Sequence, residues 1–120
     1  MSYDNDNVFA KILRGELPCK KVHETEFALA FEDIQPQTPV HVLVIPKGAY
    51  VDFEDFMAKA PAEEITGFWR SVSETAEVAG VAGEGFRLTT NNGASAGQVV
   101  FHFHVHIFGG RPLGRMVRKD

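Results

Sequence analysis

The sequence lacks the features that mark disulfide-stabilised, membrane-spanning and secreted proteins. Cys19 is its single cysteine, so no internal disulfide can form, which is typical of a protein from a reducing compartment. The longest aliphatic run, Val42 to Ile45, is far too short to cross a bilayer. The N-terminus MSYDNDN lacks the charged and then apolar pattern of a secretion signal. We therefore expect a cytoplasmic protein without a membrane partner.

Positive charge is scarce as well. Twelve Lys and Arg stand against sixteen Asp and Glu, which gives a formal net charge of −4. A nucleic-acid binder needs a basic face for phosphate contacts, so we expect no nucleic-acid partner. The stretch 111–119 is locally basic and is interpreted as a solvated end.

The residues that are present suit one α+β domain. Hydrophobic residues make up 44% of the 120 residues, and no repeat or linker divides the chain, so we expect a single domain over 1–120. Apolar periodicity and turn residues predict, in chain order, a helix from Asp6 or Asn7 to about Arg14, strands at 22–23, 27–33 and 40–45, a short helix at 52–57, a long helix from about Pro61 to Gly80, and strands at 86–90 and 99–108. This order indicates a five-stranded antiparallel sheet with one long and one or two short helices.

The segment 102–108, HFHVHIF, carries the strongest functional signal. Alternate residues of a strand share a face, so His102, His104 and His106 are predicted on one side, with the apolar residues between them facing the core. Both forms of imidazole are accessible near neutral pH. Such a row can therefore attack phosphorus, bind oxyanion charge and protonate a leaving group. The pattern favours chemistry on a phosphate.

Zinc binding is the main alternative for these histidines. In a straight strand the Cα atoms of His102 and His106 would lie about 13 Å apart, too far for one ion to gather all three rings. An adjacent pair together with His41 or a carboxylate remains a possible ligand set. We expect no metal and no cofactor.

The loop NNGASAGQ, residues 91–98, comes directly before the histidines. Gly93 and Gly97 allow backbone N–H groups to approach a phosphate closely, and Asn91 and Gln98 add neutral donors. The loop lacks the Gly-Lys-Ser/Thr ending of a Walker motif. Its position next to the histidines predicts an anion-binding loop.

These motifs closely resemble the histidine-triad (HIT) family, whose signature of three histidines alternating with apolar residues is matched throughout 102–108. The likeness extends over VFAKILRGELP, FALAFEDIQPQTPVHVLVIPK and NNGASAGQ. The closing GGRPLG is similar to the Hint branch, the purine nucleoside phosphoramidases. The resemblance implies a HIT-like fold and a nucleotide-binding hydrolase or transferase that acts on nucleoside 5′-phosphoramidates or related conjugates.

The resemblance also implies a role for each site residue. His104 would attack the phosphorus and form a nucleotidyl-histidine, which water then hydrolyses to release the nucleoside monophosphate. His102 and His106 would orient the phosphate and assist the leaving group, with His41 supporting the site, and Asp33 would bind the ribose hydroxyls. The residues matching the walls around the base are Phe9, Ile12, Phe31, Ile34 and Leu43, and those matching the phosphate loop are Asn91, Gly97 and Gln98.

The sequence departs from the family pattern in two places. Val99 stands where several members carry a hydroxyl near the leaving group, and the tail RPLGRMVRKD lacks the aromatic end of animal members. Leaving-group preference therefore stays open. The resemblance further implies a homodimer with the Trp69 helix and a central strand at the interface. Two other functions remain: hydrolysis of dinucleoside polyphosphates, and a regulatory nucleotide-binding module with little turnover.

Overall fold

The computed structural model describes residues 2–117 and shows the α+β architecture predicted above. These residues contain two short helices, one long helix, five strands and a single 3₁₀ turn, joined by loops. In chain order they are α1 (Val8–Leu13), β1 (Lys21–Glu24), β2 (Ala28–Glu32), β3 (Val40–Pro46), α2 (Phe53–Lys59), α3 (Ala62–Val78), β4 (Phe86–Thr89), the 3₁₀ turn (Ala94–Ala96) and β5 (Val105–Gly109). No helix among these residues is both long and apolar enough to span a membrane.

The helix starts follow local capping chemistry. The Asn7 side chain accepts the N–H of Ala10 and begins α1, while the Asp52 side chain accepts the N–H of Asp55 and begins α2. Each cap satisfies a donor that the first helical turn leaves without a partner. Pro61 is the residue before α3, one position earlier than a first helical residue.

The five strands form one sheet in the order β1-β2-β3-β5-β4, with every neighbouring pair antiparallel. β3 lies at the centre, and six of its seven residues are buried. Its aliphatic run is buried on both faces of the sheet, as is typical of a central strand covered on both sides.

The two faces of the sheet bury separate clusters. On one face α3 packs over a core that includes Val44, Phe56, Phe68, Phe103 and Ile107. On the other face α1 contributes Phe9 to a smaller cluster with Leu29, Phe31, Leu43 and Ile45. The histidines lie on the side of this smaller cluster.

The last strand is shorter than the sequence predicts. We expected it over 99–108, but β5 begins at Val105, which pairs with Val44. Continuing that register would bring Phe103 opposite Pro46, which has no N–H to donate to the ladder. The N–H of Phe103 instead donates to the carbonyl of Tyr50. His102 and His104 therefore lie in an irregular segment before the strand.

Candidate active site

His104 is held with one ring nitrogen free. Its Nδ1 lies 2.7 Å from the carbonyl oxygen of His102, which can only accept, so Nδ1 carries the proton. Nε2 consequently keeps its lone pair. The ring is 8% exposed, packs edge-on against Phe9 at 4.9 Å between centroids, and lines a cavity. The backbone thus fixes the tautomer of His104 and leaves Nε2 available to accept a proton or to attack an electrophile.

His106 is oriented by a chain of hydrogen bonds through His41. The N–H of Gln37 donates to His41 Nδ1 at 3.2 Å, so His41 carries its proton on Nε2. That Nε2–H donates to His106 Nδ1 at 3.0 Å. Asp33 Oδ2 lies 3.4 Å from the same Nε2. The chain leaves His106 with its proton on Nε2, as a donor beside His104, whose ring centroid is 5.1 Å away.

His102 lies behind the other two histidines. It is fully buried: its Nε2 donates to the carbonyl of Pro46 at 2.9 Å, and its Nδ1 lies 2.6 Å from the hydroxyl of Tyr3. The prediction that three rings line one strand face is therefore wrong: of the three, His106 alone lies in β5, and the ring of His102 is turned to Pro46 and Tyr3 and does not line the cavity. Its ring has no free nitrogen for a phosphate, and its carbonyl is the group that faces His104.

All four histidines are kept neutral by burial. Loss of hydration lowers the pKa of His102 and of His106 to about 4. It also lowers the pKa of His41 and of His104, although the nearby Asp33 carboxylate opposes the shift for both. Neutral rings at pH 7 are required for the tautomers assigned above, because a charged imidazole has no lone pair.

The cavity in front of His104 and His106 has a volume of about 560 Å³, within the range of small-ligand sites. It brings together all five apolar residues that the sequence predicted around a base. These are Phe9, Ile12, Phe31, Ile34 and Leu43. Four of them form its walls, whereas Ile34 is 95% exposed and stands at the rim.

Asp33 also lines the cavity, and its two carboxylate oxygens have different surroundings. Oδ1 accepts the N–H of Gln35 in a local turn, while Oδ2 faces His41. The side chain is 20% exposed. The position suits a diol at the mouth of the cavity, and the turn fixes the direction of the carboxylate.

The glycine loop is closed by the side chain of Gln98. Its Oε1 accepts the N–H of Gly93, and its Nε2 donates to the carbonyls of Val51 and Val100. Gln98 is 5% exposed and does not line the cavity, so the prediction that it binds phosphate directly is wrong. Its donors are used to shape the loop.

The other loop residues lie where the sequence predicts. Asn91 and Gly97 line the cavity, and Gly97 has a φ of +91°, a conformation that disfavours a side chain. Val99 is 84% exposed at the rim. An apolar side chain without a donor therefore stands at the entrance to the cavity.

Sequence reasoning missed Tyr3 and Gln37. Gln37 acts through its backbone N–H, and no side-chain pattern signals this. Tyr3 lies 99 positions from His102 in the chain, so no local spacing connects them. A second cavity of about 770 Å³ was also missed; it adjoins the first at Gln37, Asn91 and His106 and is lined by Arg87, Arg111 and Arg115. Two of these arginines belong to the basic stretch 111–119, of which 118 and 119 lie outside the described residues.

One group of side chains resembles a metal site in composition. Asp33, His41 and His106 bring ligand atoms within 4.8 Å of one another. His41 does not fit a metal, however, because Gln37 donates to its Nδ1 and its Nε2 carries the proton. A ligating imidazole nitrogen must have a free lone pair. The set is better described as a hydrogen-bond chain.

Known proteins match this chain along most of its length. The family model of the HIT domain matches residues 14–113. A HIT-like protein of Azospirillum brasilense is 59% identical over 98% of this chain and 97% of its own. The purine nucleoside phosphoramidase of Escherichia coli is 39% identical over 93% of each chain. A HIT family hydrolase from Clostridium thermocellum has a TM-score of 0.86 and 37% identity, covering 96% of this chain and 99% of that one. This solved structure confirms the predicted HIT-like fold.

Proposed function

Because the chain belongs to the HIT-domain family, we propose that it is a nucleotide hydrolase or transferase of the Hint type, cleaving nucleoside 5′-phosphoramidates or related conjugates. The supporting observation is the lone pair of His104 Nε2, which the hydrogen bond from Nδ1 to the His102 carbonyl leaves free beside a nucleotide-sized cavity. The phosphoramidase named among the relatives supports the substrate class.

The cavity has a suitable partner for each part of a nucleotide. A flat base would stack among the apolar walls, where Phe9 and Phe31 meet edge to face with centroids 5.6 Å apart. Asp33 would accept hydrogen bonds from the ribose hydroxyls. The phosphate would then lie between Asn91 and the two cavity-lining histidines, within reach of His106 Nε2–H.

In the first step, His104 Nε2 forms a bond to phosphorus and the bond from phosphorus to the leaving nitrogen breaks. The departing amine takes one proton from water at the open rim of the cavity. His104 becomes a cationic nucleotidyl-imidazole, which Nδ1–H to the His102 carbonyl and the negative charge of Asp33 stabilise. His106 Nε2–H donates to a phosphate oxygen as charge develops there.

In the second step, water attacks phosphorus and the bond from phosphorus to His104 breaks. The attacking water gives one proton back to solvent, which balances the proton taken up by the amine. The nucleoside monophosphate leaves, and His104 returns to its starting tautomer. His102 contacts no reacting atom in this scheme and acts by presenting its carbonyl.

Turnover of an adenosine 5′-phosphoramidate by His104→Ala tests the proposal. Loss of the nucleophile should lower kcat by more than the roughly 10²–10⁴-fold expected for a general acid or base alone. His23→Ala is a matched control, because His23 pairs with Glu74 of α3 and does not line the cavity. It should retain wild-type rates. Equal rates for wild type and His104→Ala would overturn nucleophilic catalysis by His104.

The second cavity favours one alternative, hydrolysis of dinucleoside polyphosphates. Its three arginines, Arg87, Arg111 and Arg115, form no ion pair with any carboxylate among residues 2–117. Their charge suits a leaving group that carries further phosphates. Comparing kcat/KM for diadenosine tetraphosphate with that for the phosphoramidate in the same preparation decides between the two substrate classes.

We also propose that the chain forms a homodimer, through the edge of the sheet. β3 and β5 each pair with two strands of the same chain, so neither has a free backbone edge for a strand of a second subunit. β4 is an edge strand and exposes Phe86 and Leu88, at 38% and 44%. Trp69 is half-buried against its own Phe68 and Phe103. Light scattering of wild type and Leu88→Lys tests this surface: the variant should be monomeric.

A further inference from the structure

We propose that Tyr3 is a positioning residue for the reaction, fixing His102 and through it the nucleophile. The inference rests on the proposed function for its kinetic consequence, although the contact itself does not. The hydroxyl of Tyr3 lies 2.6 Å from His102 Nδ1, and the two rings meet edge to face with centroids 5.6 Å apart. Tyr3 does not line the cavity in which we propose that the substrate binds.

The direction of this hydrogen bond follows from the other side of the ring. His102 Nε2 faces the carbonyl oxygen of Pro46, which can only accept, so Nε2 carries the proton. Nδ1 therefore holds a lone pair, and the tyrosine hydroxyl must donate to it. Tyr3 thus favours the tautomer that the Pro46 contact requires. A buried Nδ1 without this donor would lack any partner among the described residues.

His102 depends on these two ring contacts because strand pairing does not reach it. The ladder between β3 and β5 ends at Val44 and Val105. Between the glycine loop and β5, the N–H of Phe103 donates to the carbonyl of Tyr50, and the hydroxyl of Thr90 donates to the carbonyl of His104. The side chain of His102, held at both ring nitrogens, is a further anchor, at the residue whose own carbonyl faces His104.

The carbonyl of His102 is the link to the chemistry. It accepts Nδ1–H of His104 at 2.7 Å and thereby fixes which nitrogen of the nucleophile is free. A movement of residue 102 would change the direction of this acceptor. The Tyr3 hydroxyl therefore acts on His104 at a distance of two hydrogen bonds, without touching it.

The N-terminal segment is itself anchored, so Tyr3 is held in place. The carbonyl of Asp4 accepts both the backbone N–H and the side-chain amide of Asn7, the residue that caps α1. α1 carries Phe9, whose ring lies against His104. One short stretch of chain thus places both a wall of the cavity and the donor to His102.

Tyr3→Phe removes the hydroxyl and keeps the ring contact. We expect kcat to fall roughly tenfold, near the upper limit for one neutral hydrogen bond, with KM changed less than twofold. Long-range ¹H–¹⁵N spectra of the imidazoles should show His102 Nδ1 as a bare nitrogen in wild type, and the His102 signals should shift or broaden in the variant. Tyr50→Phe is a matched control at the second of the chain's two tyrosines. Its hydroxyl faces Glu64, away from the histidines, and wild-type kinetics and spectra are expected.

Wild-type kcat in Tyr3→Phe, or unchanged His102 resonances in that variant, would overturn the inference. A loss of kcat that accompanies a loss of folded protein in thermal melts would also contradict it, since a structural role alone explains that pattern. Absence of turnover in the wild type would instead refute the proposed function. The spectra would still report whether Tyr3 sets the tautomer of His102.

Discussion

Alternate residues of the segment 103–107 lie on opposite faces of the sheet, and the two faces differ in role. On the helix side, Phe103, Val105 and Ile107 enter a dry core beneath α3. On the other side, the residues between them are imidazoles that line or support an open cavity. One short segment thus supplies stability to one face and reactive groups to the other. Substitutions on the two faces should consequently separate stability from activity.

The largest effect on stability is expected on the helix face, from Phe68→Ala. Phe68 is fully buried and contacts Phe56, Trp69 and Phe103. Truncating a buried Phe costs about 3–5 kcal/mol through lost transfer free energy and the cavity left behind. Urea unfolding measures the loss. Specific activity of the remaining folded fraction should stay near that of wild type, and a selective loss of kcat would break the separation between the faces.

Acid should destabilise the protein through the histidine face. Burial depresses the pKa of His102 and His106 from 6.5 to about 4, so the unfolded chain binds more protons than the folded one in this window. The free energy of unfolding therefore falls as pH drops from 6.5 toward 4, by about 3 kcal/mol for His102. Urea unfolding at several pH values checks this. Above about pH 5 carboxylates contribute little, and a flat profile there would contradict the assigned neutral rings.

Protonation of His104 sets the acid limit of activity. Because burial lowers the pKa of His104, its lone pair persists below the ordinary imidazole value of 6.5. We expect kcat/KM to hold through pH 6.5 and to fall only at lower pH. A midpoint at or above 6.5 would contradict a nucleophile whose pKa is lowered by burial.

Asp33→Asn should affect nucleotide binding more than chemistry. Losing charge-assisted hydrogen bonds to the ribose should raise KM roughly tenfold. The control is a 2′-deoxy substrate, against which wild type should discriminate and the variant should not. Equal discrimination by both proteins would remove Asp33 from the ribose site.

Val99→Ser is expected to give the smallest effect. Val99 is 84% exposed at the cavity rim, so the substitution should leave stability unchanged. A new hydroxyl there can donate to the leaving group and should change relative kcat values among different amines by a few-fold, about 0.5–1 kcal/mol. Identical preferences in wild type and variant would place the leaving group elsewhere.

Much of the fold could be predicted from the sequence because its signals are local. The Asn7 cap, the apolar run of β3 and the helical spacing of α3 each depend on neighbouring residues. The cavity walls could be predicted through the family resemblance. The start of β5 could not, because it depends on Pro46, a residue of another strand that cannot continue the ladder.

The finer chemistry of the site depends on contacts between residues far apart in the chain. Spacing alone made His102 equivalent to His104 and His106, whereas Tyr3 and Pro46 occupy both of its nitrogens. Likewise, the sequence pattern makes the Gln98 amide a phosphate donor, whereas in the structure that amide closes the loop and has no free donor for a phosphate. A donor or acceptor can be counted as free only after its tertiary partners are known.

The position of a covalent intermediate would identify the nucleophile most directly. Wild type mixed with excess adenosine 5′-phosphoramidate, quenched within one turnover and mapped by peptide mass spectrometry, should carry an adenylyl group on His104 alone. His23→Ala should give the same adduct, and His104→Ala should give none. An adduct on His102 or His106, or full turnover by His104→Ala, would contradict the assignment of the nucleophile.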